Sequence, residues 1–199
     1  MQKMRNKLLE TAIRLFNEKG INHTSFRDIA SNLEVSDGHV RYYFKTKEFL
    51  LMSIFEALDN EIVQASQLEQ ETNEVTLAYL FSKIEVVFQI TVKYRFLFVE
   101  SPKTLSRYPE LIKSYRNLIE RRKSMILGAF NIFIEKGLFQ TSFDKEAQEN
   151  AFYAIFIISD GWLRTYLLTR GTEPDQQSIT FHSRLIFSIL RPYLKENSL

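Results

Sequence analysis

The chain has 199 residues, 45% hydrophobic and 25% charged, which fits one domain or a small domain fused to a larger one. It has no cysteine, which excludes disulfides, thiolate metal sites and cysteine nucleophiles and accords with a reducing cytoplasm. Net charge is only +2, but residues 1–50 carry nine Lys/Arg against six Asp/Glu while residues 51–199 carry seventeen against eighteen, so the basic excess lies in the first quarter.

In chain order, Leu8, Ala12, Leu15 and Phe16 recur at helical spacing and predict a first helix over about 3–19, closed by Gly20. Thr24 and Ser25 are N-cap candidates, and Ser25 with Asp28 reads as a capping box for a short second helix ending near Asn32. Leu33-Glu34-Val35 makes a tight turn, and Ser36 caps a third helix over about 37–43. Thr46 opens a long fourth helix with Leu51, Phe55, Leu58 and Ile62 on one face, and a polar stretch from Gln64 to Glu74 separates it from a fifth, about 75–92. Leu77, Leu80, Phe81, Ile84, Val87 and Phe88 form the inward face of that fifth helix. Ser101-Pro102 and Tyr108-Pro109 punctuate an irregular region holding one short helix. A long helix then runs from about Glu110 to Lys136 and Gly137; another opens at Asp144 and ends near Arg170-Gly171; a last one spans about 175–190, with Pro192 beyond it.

With only 6 Gly and 4 Pro, this sustained helical patterning predicts an all-α fold. No stretch approaches the length of a transmembrane helix, and the basic start at Lys3, Arg5 and Lys7 is followed by no apolar run, so neither a membrane partner nor a signal peptide is expected. The 17 Phe are more than a polar catalytic cleft needs and suit an apolar bundle interior or cavity.

The informative part is residues 24–44. Ile29, Ala30 and Leu33 supply apolar packing for the second helix, and Val35, Val40 and Phe44 for the third. Two helices crossing steeply over so short a turn need a side chain as small as Ala30 at the crossing, which is helix-turn-helix geometry. Gly38 costs about 1 kcal/mol in so short a helix and would allow close backbone approach to DNA. His39 and Arg41 can reach base edges or phosphate, Tyr42 and Tyr43 offer hydroxyls, and Lys47 with the start of the fourth helix makes an anion site. Asp37 complements the helix N-terminus. Thr24, Ser25, Arg27, Ser36, Asp37, Gly38, His39, Arg41, Tyr42, Tyr43 and Lys47 are the candidate DNA contacts. For Tyr42 and Tyr43 packing on the fourth helix is the alternative, and for Arg27 a solvated or capping charge.

The segment from Leu8 to Leu51 resembles the N-terminal domain of the tetracycline-repressor (TetR) family. The matching features are Gly20, Thr24-Ser25-Phe26-Arg27-Asp28-Ile29-Ala30, Val35-Ser36-Asp37-Gly38-His39-Val40, Tyr42-Tyr43-Phe44 and Lys45-Thr46-Lys47-Glu48. The chain departs from the pattern at Glu34, where many members have Gly and a side chain costs about 1 kcal/mol. It departs also at His39 and Arg41, so no operator sequence carries over. The resemblance implies a helix-turn-helix domain over 1–47 and a larger helical ligand-binding and dimerisation domain over 48–199. It implies a dimeric, cytoplasmic regulator, most often a repressor, that binds a palindromic double-stranded operator and is released by a small apolar effector; no cofactor or metal is implied.

The same resemblance points to the last two long helices as a dimer surface. The stripes Ile155, Ile158, Trp162 and Ile179, Ile186, Ile189 suit that role, with internal core as the alternative. It also places a cavity among the fifth to eighth helices, with Phe88, Tyr94, Phe96, Phe98, Phe130, Phe133, Tyr153, Phe156 and Trp162 as candidate lining and Tyr94, Arg95, Tyr115 or Tyr153 as polar handles. Arg116 and Arg121-Arg122-Lys123 read as a solvated face, with an acidic ligand or a second DNA contact as alternatives. An enzyme is disfavoured by the absence of H-E-x-x-H, G-x-S-x-G and Walker motifs. A helical protein-interaction adaptor without DNA binding is the other reading, but it would not need Gly38 to Tyr43.

Overall fold

A computed structural model describes residues 2–66 and 77–195. The order is α1 (Gln2–Lys19), α2 (Phe26–Asn32), α3 (Asp37–Tyr43), α4 (Lys47–Ser66), α5 (Leu77–Lys93), α6 (Arg95–Val99), α7 (Pro102–Leu105), α8 (Pro109–Glu135), α9 (Lys145–Arg170) and α10 (Gln176–Leu190). A single 3-10 turn, Arg191–Tyr193, follows. Among the described residues there is no strand, only an isolated bridge between Phe139 and Leu194, so the all-α expectation holds. The irregular region carries two short helices rather than one, because Tyr94 and Ser101 each start a separate turn. Most of the expected break at 64–74, and the inward side chains of Leu77 and Leu80, lie outside what is described.

Contacts divide the chain into two compact units, Met1–Glu61 with Lys93–Asn117 and Ile62–Val92 with Leu118–Leu199. The grouping differs from a cut at residue 47 because the first unit is closed by distant segments. α1 buries Leu8, Ala12, Leu15 and Phe16 against α2 and α6, with the Phe16 and Phe96 rings 5.1 Å apart. Asn17 joins two helix ends: its Nδ2 donates to Lys93 O at 2.9 Å and its Oδ1 accepts from Phe96 N at 3.0 Å. Asn22 donates to Thr104 Oγ1, and Glu48 accepts the Glu110 N–H at 3.0 Å, capping α8.

The second unit has an aromatic core. Phe130, Phe133, Phe139 and Phe143 pack with Ala151, Leu190 and Leu194 where α8, α9 and the chain end meet. Asp144 and Asp175 cap α9 and α10, and Gly171 ends α9 in the left-handed region at φ 70°. α9 packs on α10, and Trp162, Ile179 and Ile186 are buried. The internal-core reading therefore applies to these three. The exposed apolar residues are instead Tyr153, Ile157 (68% exposed) and Leu168 (80%) on α9, and Phe181 (59%) and Leu185 on α10.

The turn between α2 and α3 has a specific geometry. The Glu34 N–H donates to Ser31 O and the Val35 N–H to Ala30 O, the paired bonds of a Schellman motif. Glu34 occupies the left-handed position at φ 54°, the only non-glycine with positive φ among the described residues. Glycine there would relieve the Cβ clash, and a β-branched residue would worsen it. Glu34→Gly should raise stability by up to about 1 kcal/mol and Glu34→Val lower it by about 1 kcal/mol, measured by thermal unfolding. Shifts of the same sign would contradict the assignment.

Candidate functional site

The helix-turn-helix is set by local capping. The Ser25 N–H donates to Asp28 Oδ2 at 2.7 Å, and the Asp28 N–H donates back to Ser25 Oγ at 3.2 Å. The Ser25 hydroxyl and backbone amide hold the Asp28 carboxyl below the usual carboxylate range. Ser36 caps α3 by accepting the His39 N–H at 3.2 Å. Val40 and Phe44, both fully buried, anchor α3 from beneath.

That anchoring leaves Gly38, Arg41 and Tyr42 on the outer face, Tyr42 being 69% exposed. Arg41 is held rather than loose. Its Nε donates to Asp37 Oδ2 at 2.6 Å and its guanidinium lies 5.1 Å from the Phe26 ring centroid. Asp37 thus orients Arg41 as well as complementing the helix end. Tyr42 and Tyr43 meet edge to face at 5.1 Å. A Cβ added at Gly38 would meet only Ser36 Oγ at 3.8 Å, an ordinary contact, so nothing inside the fold requires glycine there. Ser25, Arg27 and Ser36 are exposed on the same pair of helices.

Three candidate contacts stand elsewhere. Thr24 is only 1% exposed, and its hydroxyl donates to Gly20 O at 3.0 Å and Leu15 O at 3.3 Å. It ties off the end of α1 and has no surface for a phosphate. Lys47 is half-buried, its Nζ donating to Ile21 O and lying 6.0 Å from the Phe16 ring centroid. Burial pushes its ammonium down, partly offset by Asp28 and Glu100. It is an internal clamp, not an open anion site. His39 packs edge-on against Tyr43 at 5.4 Å, and its Nε2 is shielded from solvent, so that atom does not reach a base edge directly.

Sequence reasoning missed Glu100, whose Oε1 accepts the Ile21 N–H at 3.1 Å. It missed Arg5 too, which donates to Ser53 Oγ at 3.1 Å and lies over Phe44 at 5.4 Å. Neither pairing leaves a local signal, since the partners lie tens of residues apart.

The second unit contains a cavity of about 180 Å³. Of the candidate lining residues, Phe88 (α5), Phe130 and Phe133 (α8) and Phe156 (α9) line it. The others do not. Tyr94 and Phe96 are buried in the first unit, Tyr94 donating to Glu61 Oε1 at 2.7 Å, and Phe98 belongs to that unit as well. Burial and the Glu61 carboxylate push the Tyr94 hydroxyl upward, so it stays protonated. Tyr153 faces outward beneath Lys123, and Trp162 stacks against Phe88 at 5.2 Å, one ring removed from the space. The polar lining is Ser66, Lys83, Arg122 and Ser159 rather than the tyrosines and Arg95. Of the basic cluster, Arg121 is exposed, Lys123 lies 3.6 Å from Glu149, and Arg122 lines the cavity. Among the described residues no group of side chains could hold a metal ion and no helix is long and apolar enough to cross a membrane.

Residues 8–54 match the family model described as bacterial regulatory proteins, tetR family, and residues 59–199 match the model described as bacterial transcriptional repressor, TetR. A probable helix-turn-helix transcriptional regulator, YttP of Bacillus subtilis, is 28% identical over 139 residues, which cover 67% of this chain and 64% of that protein. IcaR of Staphylococcus aureus, the negative regulator of the biofilm operon icaADBC, is 23% identical over 199 residues, covering 97% of this chain and all of IcaR. A solved TetR-family regulator from Marinobacter aquaeolei superposes with a TM-score of 0.83 at 22% identity, covering 97% of this chain and 92% of that one.

The capping box makes a pH-dependent prediction. With its pKa lowered by folding, Asp28 contributes stability that is full above the ordinary carboxylate pKa and lost as pH falls through the folded value. The melting-temperature difference between the wild type and Asp28→Asn should therefore be largest near about pH 7 and shrink toward about pH 3.

Proposed function

The chain belongs to the TetR family of bacterial transcriptional regulators, DNA-binding proteins and not enzymes, and we propose that it binds a palindromic operator as a homodimer and releases it when a small apolar effector occupies the second unit. The observation that carries DNA reading is the outer face of α3. Gly38, Arg41 and Tyr42 are displayed on a helix anchored by Val40 and Phe44, and Arg41 is already aimed by Asp37 and Phe26. That is the geometry a reading helix needs in the major groove, with Tyr43, Ser25, Arg27 and Ser36 beside the sugar-phosphate backbone. The absence of a Cβ at Gly38 serves the DNA, since the fold itself has room for one.

A palindromic operator needs two reading helices related by two-fold symmetry. The dimer surface we assign is Tyr153, Ile157 and Leu168 on α9 with Phe181 and Leu185 on α10, the large apolar side chains that these two helices leave exposed. Gly161 lies within the α9 stripe and leaves open space where a side chain would stand. The effector acts by differential affinity for two states of the dimer. α4 is the carrier: it begins with Lys47, clamped to Ile21, and ends with Ile62 and Ser66, which line the cavity. Blocking transcription is the family's common mode, so repression is the sign of regulation we assign.

Two experiments test this. On DNA from upstream of its own gene, Arg41→Ala should cost about 1–3 kcal/mol of binding. The melting temperature should shift by no more than about 1 kcal/mol implies, because the Asp37 pair is exposed. Gly38→Ala should separate the two properties more sharply, stabilising the helix by about 0.5–1 kcal/mol while weakening DNA binding. Unchanged DNA affinity in both variants would refute the reading face. Separately, Ile157→Glu with Phe181→Glu should sediment as a folded monomer and lose operator binding; a dimer of undiminished affinity would refute the surface.

A further inference from the structure

We infer that Arg41 reads a guanine rather than a phosphate, and that Asp37 is the residue that positions it to do so. The inference rests on the proposal that the outer face of α3 enters the major groove, and it adds the chemistry which that face recognises. The Arg41 side chain is 58% exposed, so its guanidinium is reachable, yet two groups fix it. Asp37, four residues back on the same helix face, accepts from Nε through Oδ2 at 2.6 Å. The ring of Phe26, the first residue of α2, has its centroid 5.1 Å from the guanidinium carbon. Phe26 is itself buried, so this second support belongs to the core.

A guanidinium has five N–H donors and two edges that serve a planar acceptor. The carboxylate on Nε takes one edge. The other, Nη1 with Nη2, matches the paired acceptors N7 and O6 that guanine presents in the major groove. Adenine sets an acceptor beside a donor there, cytosine shows a donor, and thymine shows one acceptor beside a methyl group, so none of them matches two donors. Phosphate fits the fork in shape but not in charge. Its contacts gain by neutralising charge and releasing counterions, whereas the Arg41–Asp37 pair is already neutral and would bring a carboxylate toward a second anion. A guanine edge offers two acceptors without net charge and avoids that repulsion. Holding the fork in advance also spares side-chain entropy on binding.

The test uses the full chain and a duplex enriched from random sequence by the wild-type protein. Each guanine of one half-site is replaced in turn by 7-deazaguanine, which keeps Watson–Crick pairing and loses the N7 acceptor. At one position the replacement should weaken wild-type binding roughly 5- to 150-fold. Arg41→Ala should bind the two duplexes equally, and it should lose more affinity for the enriched sequence than for unrelated DNA. Its retained binding to unrelated DNA certifies that it is folded. Asp37→Asn should shrink the guanine-to-7-deazaguanine ratio by about two- to fivefold. Simple removal of a negative charge would strengthen binding to both duplexes alike and leave that ratio unchanged, so the ratio separates positioning from bulk electrostatics. If no guanine is sensitive, and Arg41→Ala weakens binding to every sequence alike with a salt slope lower by about one, Arg41 holds a phosphate; the guanine assignment then falls and the reading face stands. An undiminished ratio in Asp37→Asn would overturn the positioning role. Wild-type affinity of Arg41→Ala for every duplex would overturn the assignment together with the reading face.

Discussion

The reading helices depend on how one buried peptide segment is satisfied. Ile21 is fully buried in the loop between α1 and α2, outside either helix, so its backbone groups are satisfied by side chains. Its N–H goes to Glu100 at the end of α6 and its C=O to Lys47 at the start of α4. An uncompensated buried amide or carbonyl costs about 1–3 kcal/mol, so these side chains fix the loop. Gly20 is part of the same device: its φ of 81° suits glycine, and an added Cβ would stand 3.2 Å from Glu100 Oε1. Thr24 completes it by drawing the Gly20 and Leu15 carbonyls to one hydroxyl. The loop is thus held by α4 and α6 as firmly as by its own sequence, and α2 starts where the loop ends.

From that anchor the display of α3 follows. The turn closes on Ala30 O, which accepts from both Leu33 and Val35, and Glu34 tolerates the left-handed region to make this possible. Strain of about 1 kcal/mol is small beside the burial of Val40 and Phe44, each contributing roughly 1.5–3 kcal/mol. The polar face stays outside that core and leaves Gly38 and Tyr42 exposed. Arg41 keeps a charge partner in Asp37, so on the proposed reading a phosphate or base edge would have to compete with a carboxylate already at 2.6 Å. Such competition favours sites whose geometry repays it and penalises loose, non-specific contact.

What could be read without coordinates was what is local. Ser25 with Asp28, Ser36, Thr46, Asp144 and the glycine at 171 announce helix ends through residues within a turn of each other. Thr24 misleads because a hydroxyl before a helix looks the same whether it caps, faces DNA or is buried. The Glu100 and Lys47 partnerships with Ile21 join distant segments and leave no periodic trace. Helical periodicity likewise marks an apolar stripe without saying what covers it: Trp162 and Ile186 are interior, and the exposed set runs instead through Tyr153, Ile157 and Leu168 on α9 and Phe181 and Leu185 on α10. Among the aromatics, Phe88 and Phe96 look alike in sequence, yet one lines the cavity and the other packs on Phe16 in a different unit. Lys83 drew no notice, since a lysine on an amphipathic helix normally faces water.

The central claim is that α2 and α3 present a surface made for the major groove, doubled by two-fold symmetry. Chemical protection of guanine N7 on a duplex enriched from random sequence by the wild-type protein tests it most directly, because N7 lies in that groove. The account requires an inverted repeat with two protected N7 clusters on one face of the duplex, separated by one helical turn or a whole multiple of it. A single cluster, or protection confined to adenine N3 in the minor groove, would contradict it.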